Sequence, residues 1–437
     1  MINPIWLGLL LIGIITGLLT GHLEAVTAAT FEACKTAIMT ISLPLAGVMA
    51  LWLGIMRLAE KSGALQKLAA LLRPLLVRLF PDVPPNHPAM GSIVMNIAAN
   101  MLGLGNAATP LGLRAMQDLQ TLNRRPGVAT NAMCTFLAIN TSSIQLIPAT
   151  AIGILAAAGA IHPTSIIGTA LIASTCSCIF GITAAKLLQR MPVFSLPPLP
   201  SLPTSKSIAM ESTSAPAFEI SVPPKPLSTF GKGTLFLFVM LFVGAAWQIA
   251  ARRAGSISLF LGILETISLL AIPFLLGFFP LYAFLRGVPV YEEFVEGAKE
   301  GFQVILRIFP YLVAILVAIG IFRAAGCIDF LSHLLAPLLD RIGLPSQLLP
   351  LIFVRPLSGG AAVGCFAEIV KSAGPNSFVS QLAGTILGGT ETTLYVLAVY
   401  FGSVAIKRGR HALAAGLIAD TAGVVASLII CHLLWKN

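Results

Sequence analysis

Apolar runs of about twenty residues recur along this chain, from 4–20 near its start to 411–435 near its end, and none of them carries more than one Asp, Glu, Lys or Arg. A bilayer core roughly 30 Å thick takes about 20 residues of helix. It offers no water to an unpaired peptide group, so a chain built of such runs folds as a bundle of membrane helices. Composition agrees: 57% of the 437 residues are hydrophobic, 10% are charged, and mean hydropathy is +0.91. Soluble domains carry about 25% charged residues. The expected fold class is therefore all-α and polytopic, in the cytoplasmic (inner) membrane. A net charge of +10 would point a soluble protein to nucleic acid. Here Lys and Arg gathered in cytoplasmic loops account for it, and no nucleic-acid partner is expected.

The runs place spans at 4–20, 38–57, 128–150, 164–188, 234–251, 257–285, 303–322, 380–405 and 411–435, with a polar turn and short helix at 21–36. Residues 62–80 read differently. Leu65, Leu68, Leu72, Leu75, Leu76 and Leu79 fall on one helical face and Gln66, Lys67, Arg73 and Arg78 on the other, as in a helix lying on the membrane surface. A second short amphipathic helix is expected at 327–341, and an acidic surface segment from Glu292-Glu293 to Glu300. Residues 89–111 hold Asn96, Asn100, Asn106, Gly103, Gly105 and Pro110, and 347–371 is broken by Gly and Pro. Breakers and amides at membrane depth fit re-entrant hairpins. Residues 191–232 are rich in Pro, Ser and Thr and read as a linker between a first unit (1–190) and a second (257–437), with an extra span in 233–256.

Two polar quartets interrupt apolar runs: Asn140-Thr141-Ser142-Ser143 and Thr390-Glu391-Thr392-Thr393. They fall at matching places in an internal repeat. Gly63 to Leu76 aligns with Gly326 to Leu339, and Ala170 to Thr175 with Gly416 to Thr421. Residues 157–163 carry no Lys or Arg, whereas the matching loop holds Lys407, Arg408 and Arg410. Matched loops of opposite bias belong on opposite membrane faces. The expectation is nine spans and two hairpins in two inverted repeats, the architecture of many secondary transporters. The pair Arg252-Arg253 then lies on the external side, against the charge rule.

Further stretches carry a resemblance. They are Asn96 to Pro110 and Asn140 to Gln145 in the first half, and Arg355-Pro-Leu-Ser-Gly-Gly360-Ala and Gly388 to Tyr395 in the second. On these, residues 1–190 resemble the spore maturation protein A family, and residues from about 280 to 437 resemble the spore maturation protein B family. Both are grouped with the nucleoside recognition, or Gate, domain, which also occurs in concentrative nucleoside transporters and in ferrous-iron transport protein B. The resemblance implies a nucleoside-like solute or a role in spore formation. No GTPase domain accompanies it here.

The candidate site follows from the residues themselves. Asn96, Asn100, Asn106, Asn140, Thr141, Ser142, Ser143 and Gln145 offer amides and hydroxyls to a polar solute or a dehydrated cation. Arg355, Ser358, Thr390, Glu391, Thr392, Thr393 and Asp420 extend the set into the second half. The competing account is interhelical hydrogen bonding, worth about 1–2 kcal/mol or less per bond. Glu391 is expected to carry a coupling charge or to pair with Arg355, and Asp420 to matter less, while Glu368 and Glu265 are further ionisable groups at depth.

The seven cysteines and six histidines are scattered and propose neither a disulfide framework nor a metal site. Residues 4–20 lack a basic leader and read as a first span. No nucleotide-binding loop and no His-Glu-x-x-His is present. The leading expectation is a non-enzymatic secondary transporter of a small polar solute, without cofactor and with protons or sodium as coupling ion. The rival is an envelope assembly factor that moves nothing. Homo-oligomer formation is left open.

Overall fold

The computed structural model describes residues 2–103, 105–125, 127–142, 144–194, 225–253, 259–327, 330, 339 and 341–435. Among them the secondary structure is helical, with a single isolated bridge between Val128 and Arg408. Among the described residues six helices are long and apolar enough to cross a membrane, and Trp6–Leu19 and Leu312–Ala324 are shorter apolar stretches. Large apolar side chains such as Phe236, Leu237 and Trp247 stand exposed. Water would not tolerate such a surface, but acyl chains cover it. The chain is a polytopic all-α membrane protein.

The first half runs α1 (Ile2–Leu19), α2 (Leu23–Lys35), α3 (Leu43–Lys61), α4 (Ala64–Leu79), α5 (Pro88–Met101), α6 (Gly105–Thr121), α7 (Asn131–Ser142), α8 (Ala149–Ala157) and α9 (Ile166–Leu188). The turn expected near 21 is present at 20–22 and the short helix follows it as α2, but no break separates that helix from the second span. A π-helical stretch, Thr36–Ser42, joins α2 to α3, and Leu23–Lys61 forms one continuous helix of 39 residues. α4 keeps its expected bounds and buries Leu65, Ala69 and Leu76. Leu75, however, is exposed beside Leu71, so the apolar stripe is wider than the packed face. α5 and α6 form the expected hairpin, turning at Gly103, whose φ of +74° favours glycine. Asp118 of α6 accepts a hydrogen bond from Ser92 of α5.

After the linker come α10 (Thr229–Arg253), α11 (Leu259–Leu285) and α12 (Val290–Ala324). The acidic segment is no separate surface element. It is the first part of α12, where Glu292 and Glu293 occupy the favourable first turn. Residue 265 and the greater part of 327–341 lie outside the described side chains, so the second amphipathic helix does too, as do the side chains of Arg252 and Arg253. α13 (Leu349–Val354) and α14 (Gly359–Ala373) form the second hairpin, followed by α15 (Phe378–Gly389), α16 (Thr393–Ser403) and α17 (Ala412–Trp435).

The expected continuous spans at 128–150 and 380–405 are each broken in two, α7 from α8 and α15 from α16, and the breaks fall at the polar quartets. Two helix pairs hold the halves together: α3 on α12 and α9 on α17. The first pair is close because a Cβ on Gly297 would sit 2.5 Å from Leu53 O and one on Gly301 2.6 Å from Ala50 Cα. This is close packing of backbones through small residues. α7 and α15 both wedge against the α9–α17 pair, α8 rests on α14, and α16 rests on α6.

Loop contacts orient the broken helices. Lys407 and Arg408 donate backbone N–H groups to Gly127 O, so the loop before α7 meets the loop after α16 at one end of the bundle. Ile161 N donates to Asn376 Oδ1, joining the loop after α8 to the loop before α15 at the other end. The two interrupted helices therefore run antiparallel. The first end carries Arg124, Arg125, Lys407, Arg408 and Arg410; loops 157–163 and 374–377 carry no Lys or Arg.

Candidate functional site

Four interruptions meet around one cavity of about 510 Å³. The turn between α5 and α6 contributes Asn100 and Gly103, with Ala108 and Thr109 from the start of α6. The first break gives Asn140, Gln145 and Ile147, and α8 opens into the wall with Ala149 and Thr150. Across from these stand Leu357, Ser358, Gly359 and Gly360 at the start of α14, and Glu391 and Thr392 at the second break. One face of α16 completes the wall with Tyr395, Val396, Val399 and Tyr400. The first turns of α8, α14 and α16 lie in that wall, where N–H groups lack intrahelical acceptors and the helix dipole is positive.

The two quartets are in contact. Gln145 Nε2 donates to Glu391 Oε1 at 2.9 Å, joining the first break to the second. Asn100 Nδ2 donates to Asn140 Oδ1 at 2.9 Å, and Asn140 Nδ2 donates to Phe136 O of its own helix at 2.9 Å. Arg355 is buried in the turn before α14. Its Nη2 donates to Leu387 O at 2.9 Å and to Thr390 O, and its Nε to Thr390 Oγ1 at 3.2 Å. A cation thus closes the C-terminal end of α15, the polarity that a helix end favours. The same Nη2 lies 3.7 Å from Glu391 Oε2. Glu391 keeps 28% of its side chain exposed, towards the cavity.

Of the residues singled out in the sequence, Asn100, Asn140, Gln145, Ser358, Glu391 and Thr392 line the cavity. Ser358 also caps α14, accepting from Ala361 N. The others that the structure describes stand behind the wall. Asn96 donates to Ala108 O and braces the first hairpin. Thr141 and Ser142 return their hydroxyls to Ala138 O. Thr390 bonds Ile386 O, and Thr393 donates to Asp420 Oδ2 at 2.6 Å. Ser143 and the side chain of Asn106 lie outside the described residues. Glu368 is held by Arg323 near the end of α12, away from the cavity.

Tyr395, Val396, Val399 and Tyr400 are cavity residues that the sequence reading missed. Their spacing of about one helical turn was the available signal, but an aromatic and aliphatic stripe on a membrane helix reads first as packing. Thr109 lies within the stretch Asn96 to Pro110 that carries the resemblance but was not singled out, and Thr150 is an isolated hydroxyl that gave no signal.

The profile of the nucleoside recognition (Gate) family matches residues 42–160 and 305–407, about half of the chain. The chain belongs to the nucleoside recognition (Gate) family. Every residue that lines the cavity falls inside one of the two Gate segments. The chain is 48% identical over 175 residues to spore maturation protein B of Bacillus subtilis (strain 168), covering 40% of this chain and 98% of that protein. It is 46% identical over 182 residues to spore maturation protein A of the same organism, covering 42% of this chain and 92% of that protein. Inner membrane protein YjiG of Escherichia coli (strain K12) is 25% identical over 122 residues, or 28% of this chain and 72% of the relative.

Proposed function

We propose that this Gate protein is a secondary transporter of a small polar, nucleoside-sized solute in the cytoplasmic (inner) membrane, coupled to protons or sodium and performing no catalysis. The convergence of two antiparallel broken helices and two hairpin turns on one cavity carries this reading. Transporters place their solute where discontinuous helices of opposed repeats meet, because the unwound backbone there supplies polar groups at membrane depth. The cavity of about 510 Å³ falls within the range of roughly 300–1,000 Å³ usual for small-molecule sites. Its wall is polar on the side of Asn100, Gln145 and Glu391 and aromatic on the side of Tyr395 and Tyr400. That pairing suits a flat ring bearing hydrogen-bonding groups. The antiparallel broken helices and the doubled Gate match support two inverted repeats. In that arrangement the chain crosses nine times, with the two hairpins entering from opposite faces.

The test is uptake of labelled nucleosides into proteoliposomes under an imposed proton or sodium gradient. Gln145→Ala removes one side of the bridge to Glu391 and is expected to lower uptake at least tenfold. Uptake of no nucleoside under either gradient, or uptake indifferent to Gln145→Ala, refutes the reading. The names of the two Bacillus relatives favour a second reading, an assembly factor of spore maturation. Loss of maturation that tracks partner binding, with no solute flux, is the outcome that selects it.

A further inference from the structure

Asp420 stands outside both Gate segments and outside the cavity wall, yet it is the acidic group most completely enclosed near the break between α15 and α16. Gly416, Asp420 and Gly423 share one face of α17, spaced by four and three residues. A Cβ on Gly416 would lie 2.6 Å from Thr393 Cγ2, and one on Gly423 2.7 Å from Thr390 Cγ2. The two glycines let α17 lie directly across both ends of the break and aim Asp420 between them. The residue is only 6% exposed. Its Oδ2 accepts the Thr393 hydroxyl, and its Oδ1 has no hydrogen-bond partner.

The charges around Asp420 are few. Arg355 and Glu391 are the ionisable groups that act on it from the turn before α14 and from the break. α7 and α15 bring no acidic or basic side chain, and that of α9 is Lys186 in its last turn. Arg355 is already engaged by Leu387 O, Thr390 O and Glu391. Glu391 has an amide donor, a guanidinium and an opening to the cavity. Asp420 has one hydroxyl. Of the two carboxylates Asp420 thus has the fewer partners.

We propose that Asp420 is the proton-binding group that couples transport to a proton gradient, and that it acts on the cavity through Thr393 at the start of α16. This rests on the transport reading above. As a carboxylate, Asp420 accepts the Thr393 O–H and faces the positive end of α16. A proton bound at Oδ2 removes that charge and makes this oxygen a donor, so the Thr393 hydroxyl turns to accept. A proton bound at Oδ1 removes the charge and leaves Oδ2 a weaker, neutral acceptor of the same O–H. The first turn of α16 loses the negative charge that faces its positive end and keeps only a neutral hydrogen bond. The same helix carries Tyr395, Val396, Val399 and Tyr400 of the wall, so proton occupancy and wall position are linked. Glu391 is the contact that Gln145 and Arg355 share at the cavity surface.

The test is pH-difference infrared spectroscopy on the full chain in lipid nanodiscs, reading the carbonyl stretch of a protonated carboxylic acid by its shift in heavy water. The wild type should show such a band growing as pH is lowered. It should vanish in Asp420→Asn, shift in Asp420→Glu and Thr393→Val, and persist in Glu391→Gln. Should Asp420→Asn fail to fold, the shifts in the other two variants carry the assignment. A band that survives Asp420→Asn, disappears in Glu391→Gln or is unmoved in Thr393→Val overturns the proposal, as does a wild type with no titrating carboxylic acid. In proteoliposomes, Asp420→Asn should lose at least tenfold in proton-driven accumulation, and unchanged gradient dependence would refute the coupling role. A wild type with the band but no solute flux refutes the transport reading and leaves the proton site standing.

Discussion

Arg355→Met tests the claim that the guanidinium holds the second break together. The side chain gives Nη2 to Leu387 O and Thr390 O and Nε to Thr390 Oγ1, and it faces Glu391 at 3.7 Å. Truncation leaves two carbonyls at a buried helix end without their donor, at about 1–3 kcal/mol each. Removing one partner of a fully buried pair costs about 3–5 kcal/mol. The exposure of Glu391 reduces that share, because water screens the charge left behind. The expected loss is about 4 kcal/mol. Arg355→Lys keeps the charge but not the planar fork and should lose about half as much. Glu391→Gln alone should lose about 1 kcal/mol or less, since an amide oxygen still accepts from Gln145. The double variant should regain about 1 kcal/mol relative to Arg355→Met. Unfolding in mixed micelles by denaturing detergent reads all four. Arg355→Met as stable as the wild type, or a double variant no better than the single one, refutes the assignment.

The close α3–α12 contact predicts that Gly301→Val costs several kcal/mol and sharply lowers the yield of folded protein, because its Cβ would meet backbone rather than a movable side chain; Gly47→Ala, with open space around its Cβ position, is the control for thermal unfolding. In a background without native cysteines, Lys206→Cys and Trp435→Cys should label from opposite faces with an impermeant reagent, and labelling from one face refutes the inverted arrangement. His411, buried in the loop before α17 and pushed down to about 4 by burial, with Arg410 and Lys186 adding to the effect, should make the folded state acid-sensitive. Its folded form binds a proton less readily than the unfolded chain, so stability should fall as pH drops from about 6.5 towards 4 and then level. His411→Leu should flatten that profile in a pH series of thermal unfolding.

Much of this architecture is legible in the residues because hydropathy and breakers are local signals. Gly103, Pro110 and the amides around them mark the first hairpin, and the quartets mark where two helices stop. What the sequence conceals is continuity. A π-helical turn carries α2 into α3 and Pro310 sits inside α12, so expected boundaries at 36 and 302 vanish into single helices. Conversely, apolar residues on both sides of Asn140-Thr141-Ser142-Ser143 hide a break from any hydropathy window. Site membership follows from which way each side chain turns. Thr141 and Gln145 are four apart in sequence, yet one bonds its own helix and the other reaches Glu391 246 residues away. Composition cannot separate those fates, because both residues are polar and flanked by the same apolar run.

α10 packs on α11, and only 6% of its apolar window is buried. A helix so loosely held contributes no cavity residue. Its consequence is stoichiometric. Proteins similar to 40% and to 42% of this chain are separate proteins in Bacillus subtilis, whereas here both parts belong to one chain. Joining two parts in one chain makes their contact intramolecular and raises its effective concentration. Each copy of the first half then arrives with one copy of the second. Severing the chain beside α10 and expressing the pieces together should therefore leave the cavity intact but make its assembly depend on dose.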